Sequence, residues 1–425
     1  MIPRRFMVEQ LVLTDTGANS QARQLFTGAT LRYLPGVTRE LFFLLPLLLV
    51  ASLVARQPNV IVIYTDDHGT LDARCYGAKD LHTPNIDRLA REGVRFTQAY
   101  AHTFCCPSRA ALLTGRHPQR AGVNHWTQGD MKGDAGVNMN LSEVTLAEVL
   151  KGAGYRTALF GKWHVGADRG HGPTKQGFDE FFGLRGGFID NHLHYFLQGD
   201  GYHDLYEGTT EVWAKGKYFP EMMTDRALKF IASNRRNPFF LYLAFNTPHY
   251  PEQPRPEDLQ RFANLSEPRR TYAAFLTTTD DYIGRVLRRL DDLKLRDDTI
   301  IVFMGDNGHQ SYQSFDFFEI KVDNHASGLP QGHRFSSGVG PNPGGGHTGK
   351  WLGNKGTYLE GGIRVPAIMS YPAALPRGIT RHQSITTMDW FPTILHLCDI
   401  ALPKNKLDGR NLLPVIRSAD TPSPH

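Results

Sequence analysis

Asn59-Val60-Ile61-Val62-Ile63-Tyr64-Thr65-Asp66-Asp67 decides how this chain folds. A continuous β-branched run of this kind is the pattern of a strand buried on both faces. It stops on two adjacent carboxylates. Two like charges at the end of an apolar strand are costly unless a cation is present.

The pattern repeats downstream. Thr83 offers an N-cap with Pro84 behind it, and Ile86, Leu89 and Ala90 form an apolar helical stripe up to Gly93. Residues 146–150 predict another helix, closed by Gly152 or Gly154. Arg156-Thr157-Ala158-Leu159-Phe160 then predicts a strand that runs out at Gly161-Lys162-Trp163-His164. A helix around 222–232 precedes the strand Phe239-Phe240-Leu241-Tyr242-Leu243-Ala244-Phe245, which stops at Asn246-Thr247-Pro248-His249. The amphipathic segment 272–293 precedes Thr299-Ile300-Ile301-Val302-Phe303-Met304, which stops at Gly305-Asp306-Asn307-Gly308. Val365-Pro366-Ala367-Ile368-Met369 supplies one more strand. Strands alternating with helices indicate an α/β sheet with helices on both faces. In such sheets ligands bind beyond the carboxyl ends of the strands, and four of these ends gather polar groups.

Composition excludes several classes. A chain of 425 residues, 40% apolar and with 42 glycines, fits a loop-rich globular enzyme rather than a disordered or fibrous protein. No basic run with interleaved aromatics points to nucleic acid. A net charge of +5 is compatible with anionic ligands but equally with an ordinary solvated surface. Cys75, Cys105, Cys106 and Cys398 do not form a disulfide framework, since two of the four are adjacent. Residues 41–54 are an apolar run behind Arg39, too short to span a bilayer and suited to a signal-peptide core. We therefore expect a leader over 1–55, with its signal-like segment at 41–55 and cleavage after Ala55, and membrane contact only through that leader. The folded catalytic part is expected over 56–425.

The candidate chemistry sits at the strand ends. Asp66, Asp67, Asp306 and Asn307 form an all-oxygen donor set, which suits Ca²⁺ or Mg²⁺ and offers zinc no soft ligand. Each pair is also a turn signal, so taken singly the metal and turn readings both stand. Lys162 and His164 lie two apart beyond a strand, where an extended backbone points both to one side. His249 follows Pro248 at another strand end. Cys105-Cys106-Pro107-Ser108-Arg109-Ala110-Ala111-Leu112-Leu113-Thr114-Gly115-Arg116 leads into a helix, with Cys105 expected on the loop just ahead of its N-terminus. By themselves, two adjacent cysteines read as small buried hydrophobes.

That whole string resembles the type I sulfatase signature, Cys-x-Pro-Ser-Arg followed by Leu-Thr-Gly-Arg, without a mismatch. Gly-Lys-Trp-His at 161–164, Thr-Pro-His at 247–249 and the block from Gly353 to Pro366 resemble further sulfatase blocks in the family's order. The resemblance covers about residues 58 to 413. It implies the fold of the alkaline phosphatase superfamily: a large mixed, mostly parallel sheet with helices on both faces. It also implies that Cys105 is oxidised to formylglycine by a separate formylglycine-generating enzyme. Asp66, Asp67, Asp306, Asn307 and residue 105 would hold a divalent cation, calcium before magnesium. In this scheme Arg109 supports the modified residue, Lys162 binds the sulfate and Lys355 assists. His249 protonates the departing alcohol, and His164 deprotonates the hydroxyl whose collapse expels sulfate. Sulfated polysaccharides or small aryl sulfates are the implied substrates, and an exported, periplasmic or extracellular enzyme is implied with them.

Two departures from the family pattern stand out. A long insertion over 308–354, Gly/Pro/Ser-rich at 336–346, is expected to lie over the site as a substrate loop or to be partly disordered. The family's small C-terminal antiparallel subdomain is expected to be missing. A phosphonate or phosphate ester hydrolase of the same superfamily is an alternative, although phosphatases proper place serine or threonine where Cys105 stands. A non-catalytic carbohydrate-binding relative is another, and it would be expected to have lost several polar site residues that are present here.

Overall fold

Alternation along the central strands shows why they lie in the middle of the molecule. In the computed structural model, Val60, Val62 and Tyr64 of β1 (Asn59–Thr65) pack into one apolar core, while Ile61 and Ile63 pack into a second on the opposite face. Both faces are therefore covered, as the unbroken apolar run requires. Residues 57–123, 138–166, 168, 170–196, 202–310 and 344–425 are described. The expected leader, 1–55, and residues 311–343 of the expected insertion lie outside them.

Two further strands precede the middle of the chain, β2 (Val94–Tyr100) and β3 (Arg156–Lys162). Then follow β4 (Glu180–Leu184), β5 (Tyr195–Phe196), β6 (Tyr202–His203), β7 (Tyr206–Glu207) and β8 (Thr210–Glu211). The later strands are β9 (Phe239–Ala244), β10 (Thr299–Gly305), β11 (Arg364–Ser370), β12 (Ile379–Arg381) and β13 (Ile385–Thr386). The 11-stranded sheet runs β12-β2-β11-β10-β1-β9-β3-β4-β7-β8, with β13 also paired to β2. Strands β10, β1, β9, β3 and β4 are mutually parallel, whereas β11 runs against both β10 and β2. The sheet is mixed and mostly parallel, as expected. β5 and β6 form a separate hairpin.

Helices cover the two faces unequally by origin. On one side α1 (Pro84–Arg91), α4 (Phe219–Ser233) and the long α6 (Arg269–Asp292) bury Ile86, Met223, Phe230, Ile283 and Leu287 against Ile61, Leu241 and Phe303. On the other, α2 (Cys105–Thr114), α3 (Leu146–Gly152), α8 (Trp390–Leu397) and α9 (Leu413–Arg417) bury Leu112, Leu146, Phe391 and Ile416 against Val62, Tyr242 and Val302. Two short helices, α5 (Pro256–Arg261) and α7 (Glu360–Ile363), lie in connecting segments. Fully burying each such side chain contributes roughly 1.5–3 kcal/mol, set against its lost conformational freedom.

The helix starts differ from expectation in two places. Thr83 precedes α1 but makes no side-chain cap to it, and its hydroxyl instead accepts from the Arg74 amide at 2.9 Å. Cys105 is not on the preceding loop: it is the first residue of α2, and Phe104 holds the cap position. Pro107 still lies in the first turn, where its missing N–H leaves no helical bond unmade.

Candidate active site

Backbone hydrogen bonds beyond the strands draw their ends into one cluster. The Asp66 amide donates to the Thr247 carbonyl at 3.0 Å, and the Asp306 amide to the Thr65 carbonyl at 2.9 Å. The ends of β1, β9 and β10 therefore stay in register past the last paired residues. Gly161 keeps β3 close, because a Cβ there would sit 1.9 Å from the Ala244 carbonyl oxygen. The loop carrying Lys355 closes the cluster where Gly308 meets Gly361, whose carbonyl oxygen a Cβ on Gly308 would approach to 1.9 Å.

Every sequence-predicted site residue is buried in this cluster. Cys105, at the start of α2, donates its thiol to Asp66 Oδ1 at 3.2 Å. Lys162 Nζ lies 2.6 Å from Asp66 Oδ2, and Lys355 Nζ lies 2.7 Å from Asp67 Oδ1. Arg109 donates twice to Asp306 Oδ2, and a third nitrogen reaches the Lys162 carbonyl at 3.0 Å. Its guanidinium is thus engaged with a carboxylate and a backbone carbonyl. Asn307 Nδ2 donates to Asp67 Oδ1 at 2.7 Å, and its own Oδ1 is buried with no hydrogen-bond partner. His249 Nε2 stands 3.6 Å from Asp67 Oδ2, and its Nδ1 lies 2.7 Å from the Tyr250 carbonyl. Ligand atoms of Asp66, Asp67, Cys105 and His249 all lie within 4.8 Å of one another.

Lys162 and His164 do not share the extended backbone expected of them. Lys162 ends β3, but His164 has a φ of 56° and Asp67 a φ of 59°, both left-handed. Such conformations cost side-chain-bearing residues energy and gather where surrounding structure holds them at functional sites. His164 Nε2 therefore faces Cys106 Sγ at 3.2 Å rather than following Lys162 toward Asp66.

Burial sets the electrostatics. It pushes the Cys105 thiol well above its ordinary range, and the charges of Asp306 and Asp66 push in the same direction. A thiol so placed is protonated and a poor nucleophile. Burial also lowers both imidazoles well below the usual value, His249 with help from Lys355 and His164 with help from Lys162. Burial opposes charge on Lys162 and Lys355, but Asp66 and Asp67 outweigh it and hold both ammonium groups raised. Asp306 is raised by burial and then by Asp66, the repulsion of carboxylates gathered at one point.

Several contacts were not legible in the sequence. Phe188 stacks on the His249 ring at 5.2 Å, and Tyr250 packs on the same ring at 4.2 Å. Phe188 thus packs against the candidate acid. Tyr272 donates to the Asp67 carbonyl at 3.3 Å. The His309 carbonyl accepts from the Lys355 amide, and the His347 amide donates to Asp72. Lys350 lies over the Trp351 ring.

Comparison with known proteins shows the family of this chain. The sulfatase family's sequence model matches residues 58–400. Arylsulfatase A of Homo sapiens is 34% identical over 85% of this chain and 68% of its own length. N-acetylgalactosamine-6-sulfatase of Sus scrofa is 33% identical over 85% of this chain and 66% of its own. The chain thus spans about two thirds of the length of these curated relatives. The solved structure of Ps i-CgsB in complex with k-i-k-neocarrahexaose superposes with a TM-score of 0.73 at 31% identity, covering 87% of this chain and 78% of that one. By sequence and by fold, the chain belongs to the sulfatase family.

Proposed function

We propose that this chain hydrolyses sulfate esters of carbohydrates or aryl alcohols, releasing inorganic sulfate. One observation carries the reading: Cys105 is buried among three carboxylates, two lysines and His249, brought together from four strand ends and one loop. A sulfate ester is anionic, so an approaching nucleophile meets negative charge. Lys162 and Lys355 offset that charge in a dry site, where preorganised cations act strongly.

Residue 105 acts as formylglycine in this reading, made by a separate maturation enzyme. The modification supplies an oxygen nucleophile where the protonated thiol supplies none. Asp66, Asp67, Asp306 and Asn307 would hold a divalent cation, calcium before magnesium, which supplies positive charge beside the sulfate. The donor set fits such an ion: it is all oxygen, its carboxylates repel one another, and Asn307 Oδ1 is buried without a partner. His249 is the proton donor to the leaving alcohol. Its Nδ1–H donates to the Tyr250 carbonyl, so Nε2 carries the lone pair and is the atom that must take up a proton before passing it to the leaving oxygen. His164 is the base that returns residue 105 to its starting state, and Arg109 positions Asp306.

Export completes the reading, supported by the apolar run at 41–54. No helix among the described residues is long and apolar enough to cross a membrane. The functional test is coexpression with a formylglycine-generating enzyme. Peptide mass spectrometry across Cys105 is then paired with sulfate release from 4-nitrophenyl sulfate and from sulfated oligosaccharides. We expect conversion at Cys105 alone, and turnover that Cys105→Ala abolishes. Conversion at Cys106, or turnover by Cys105→Ala, would overturn the proposal.

A further inference from the structure

Cys106 Sγ lies 3.2 Å from His164 Nε2, with the thiol and the ring both buried. We infer that Cys106 is a positioning residue: its sulfur accepts the Nε2–H of His164, which fixes the ring and leaves the Nδ1 lone pair to take a proton. The inference rests on the reading of His164 as the base and adds the group that orients it.

The start of α2 explains how one short segment serves both roles. Cys105 and Cys106 are its first two residues, and successive side chains on a helix point roughly 100° apart. Cys105 accordingly turns its thiol to Asp66, while Cys106 turns to His164 just beyond β3. Residue 105 and the group that orients its base thus share one helical turn.

The imidazole needs such a partner. His164 has a left-handed φ of 56°, and its amide donates to the Arg185 carbonyl at 3.1 Å. Those features fix the backbone but not the rotation of the ring. Nδ1 is buried with no hydrogen-bond partner among the described residues, so the polar contact that orients the ring is the one to Cys106. Cys106 packs in the same apolar core as Leu112 and Trp163. In such dry surroundings even a weak sulfur acceptor counts for more than it would in water.

The direction of the bond follows from the unpartnered nitrogen. Burial, with help from Lys162, keeps the imidazole neutral, so it carries a single N–H. If the thiol donated to Nε2, that proton would sit on Nδ1 as a buried donor with no acceptor, and buried donors are rarely left unpaired. Neither ring nitrogen would then have a free lone pair. With the proton on Nε2 the sulfur satisfies it, and Nδ1 keeps the lone pair that a base requires. The proton it takes comes from modified residue 105, a part of the chain itself, so an Nδ1 sealed from solvent is no obstacle.

Two measurements test the assignment. In the first, the full chain with unmodified Cys105 carries ¹⁵N-labelled histidine, and the His164 ring signals are assigned by their loss in His164→Gln. We expect the proton on Nε2 in the wild type and in Cys106→Ser, whose hydroxyl oxygen can accept the same N–H. In Cys106→Ala the ring should lose that fixed state and give averaged signals. A proton on Nδ1 in the wild type, or unchanged signals in Cys106→Ala, overturns the inference. In the second, sulfate release is measured on matured chains and corrected for the fraction converted at Cys105. Cys106→Ala should lower kcat about 10- to 100-fold with KM near the wild-type value, as misplacing a reacting group does. Cys106→Ser should recover most of the loss. Cys106→Val keeps the bulk without the acceptor and should behave as Cys106→Ala, and it stands in if the smaller residue unsettles the helix. Circular dichroism confirms that each variant is folded. Wild-type kcat in Cys106→Ala or Cys106→Val, or equal losses in Cys106→Ala and Cys106→Ser, overturns the inference. Failure of the matured wild type to release sulfate overturns the sulfatase reading instead, since the ring signals are read without turnover.

Discussion

Arg109 donates from two nitrogens to the single oxygen Asp306 Oδ2, at 3.1 and 2.8 Å, with both side chains fully buried. The pair ties α2, which starts at Cys105, to the end of β10. Removing one partner of a buried pair leaves the other charged and unsolvated, at a cost of about 3–5 kcal/mol. Arg109→Ala should therefore lower the unfolding temperature clearly and abolish sulfate release from every ester. Arg109→Lys should not restore it, since a single ammonium cannot reproduce the two-pronged contact. Wild-type stability in Arg109→Ala would show that the pair does not hold this end of the sheet together.

The carboxylate set makes cation binding visible in stability. Asp66, Asp67 and Asp306 crowd one point, and an ion bound only by the folded chain stabilises it by about 2.7 kcal/mol at a hundredfold excess over its dissociation constant. Calcium added to chelator-treated protein should raise the melting temperature, and Asp67→Asn should blunt the rise. An unchanged melting curve with both calcium and magnesium would remove the ion from the proposal.

His249 separates esters by leaving group. General acid catalysis contributes about 10²–10⁴-fold and matters most when the departing oxygen needs a proton. We expect His249→Ala to slow release from sugar sulfates by about that factor and from 4-nitrophenyl sulfate far less, comparing kcat/KM. Equal losses on both would make His249 a binding residue and shift the acid role to Lys355.

Two imidazoles away from the cluster predict acid sensitivity. Burial lowers His102 and His194 to about 4, with His117 reinforcing the first, while the His194 bond to the Lys217 carbonyl partly opposes the second. In the unfolded chain each takes a proton below about 6.5, whereas in the folded chain neither does until about 4. Their contribution is thus complete above pH 6.5 and is lost as the pH falls toward 4, on the order of 3 kcal/mol for each at most. Melting temperatures measured from pH 7.5 to 4 should fall across that window, and His194→Gln should flatten the slope. A wild-type profile flat between pH 6.5 and 4 would contradict this account.

The sequence alone determined the centre of the sheet and which residues meet in the candidate cluster. β1, β9 and β10 are unbroken apolar runs, because strands covered on both faces need no alternation, and such runs are readable locally. Their ends carry Asp66, Asp67, His249, Asp306 and Asn307, and the chemistry of an α/β sheet gathers at those ends. The edge of the sheet was not readable. Val94–Tyr100 carries Arg95, Thr97 and Gln98, and it becomes a strand because β11 on one side and β12 and β13 on the other, all far along the chain, lie against it. Tertiary structure also decided the pairings within the cluster. Nothing local couples Lys162 to Asp66, Lys355 to Asp67, Phe188 to His249 or Cys106 to His164. Nor does spacing reveal that His164 turns into the left-handed region and away from its neighbour's direction. Periodicity reports which face of an element is buried, whereas partners depend on how distant strands order and register in one sheet.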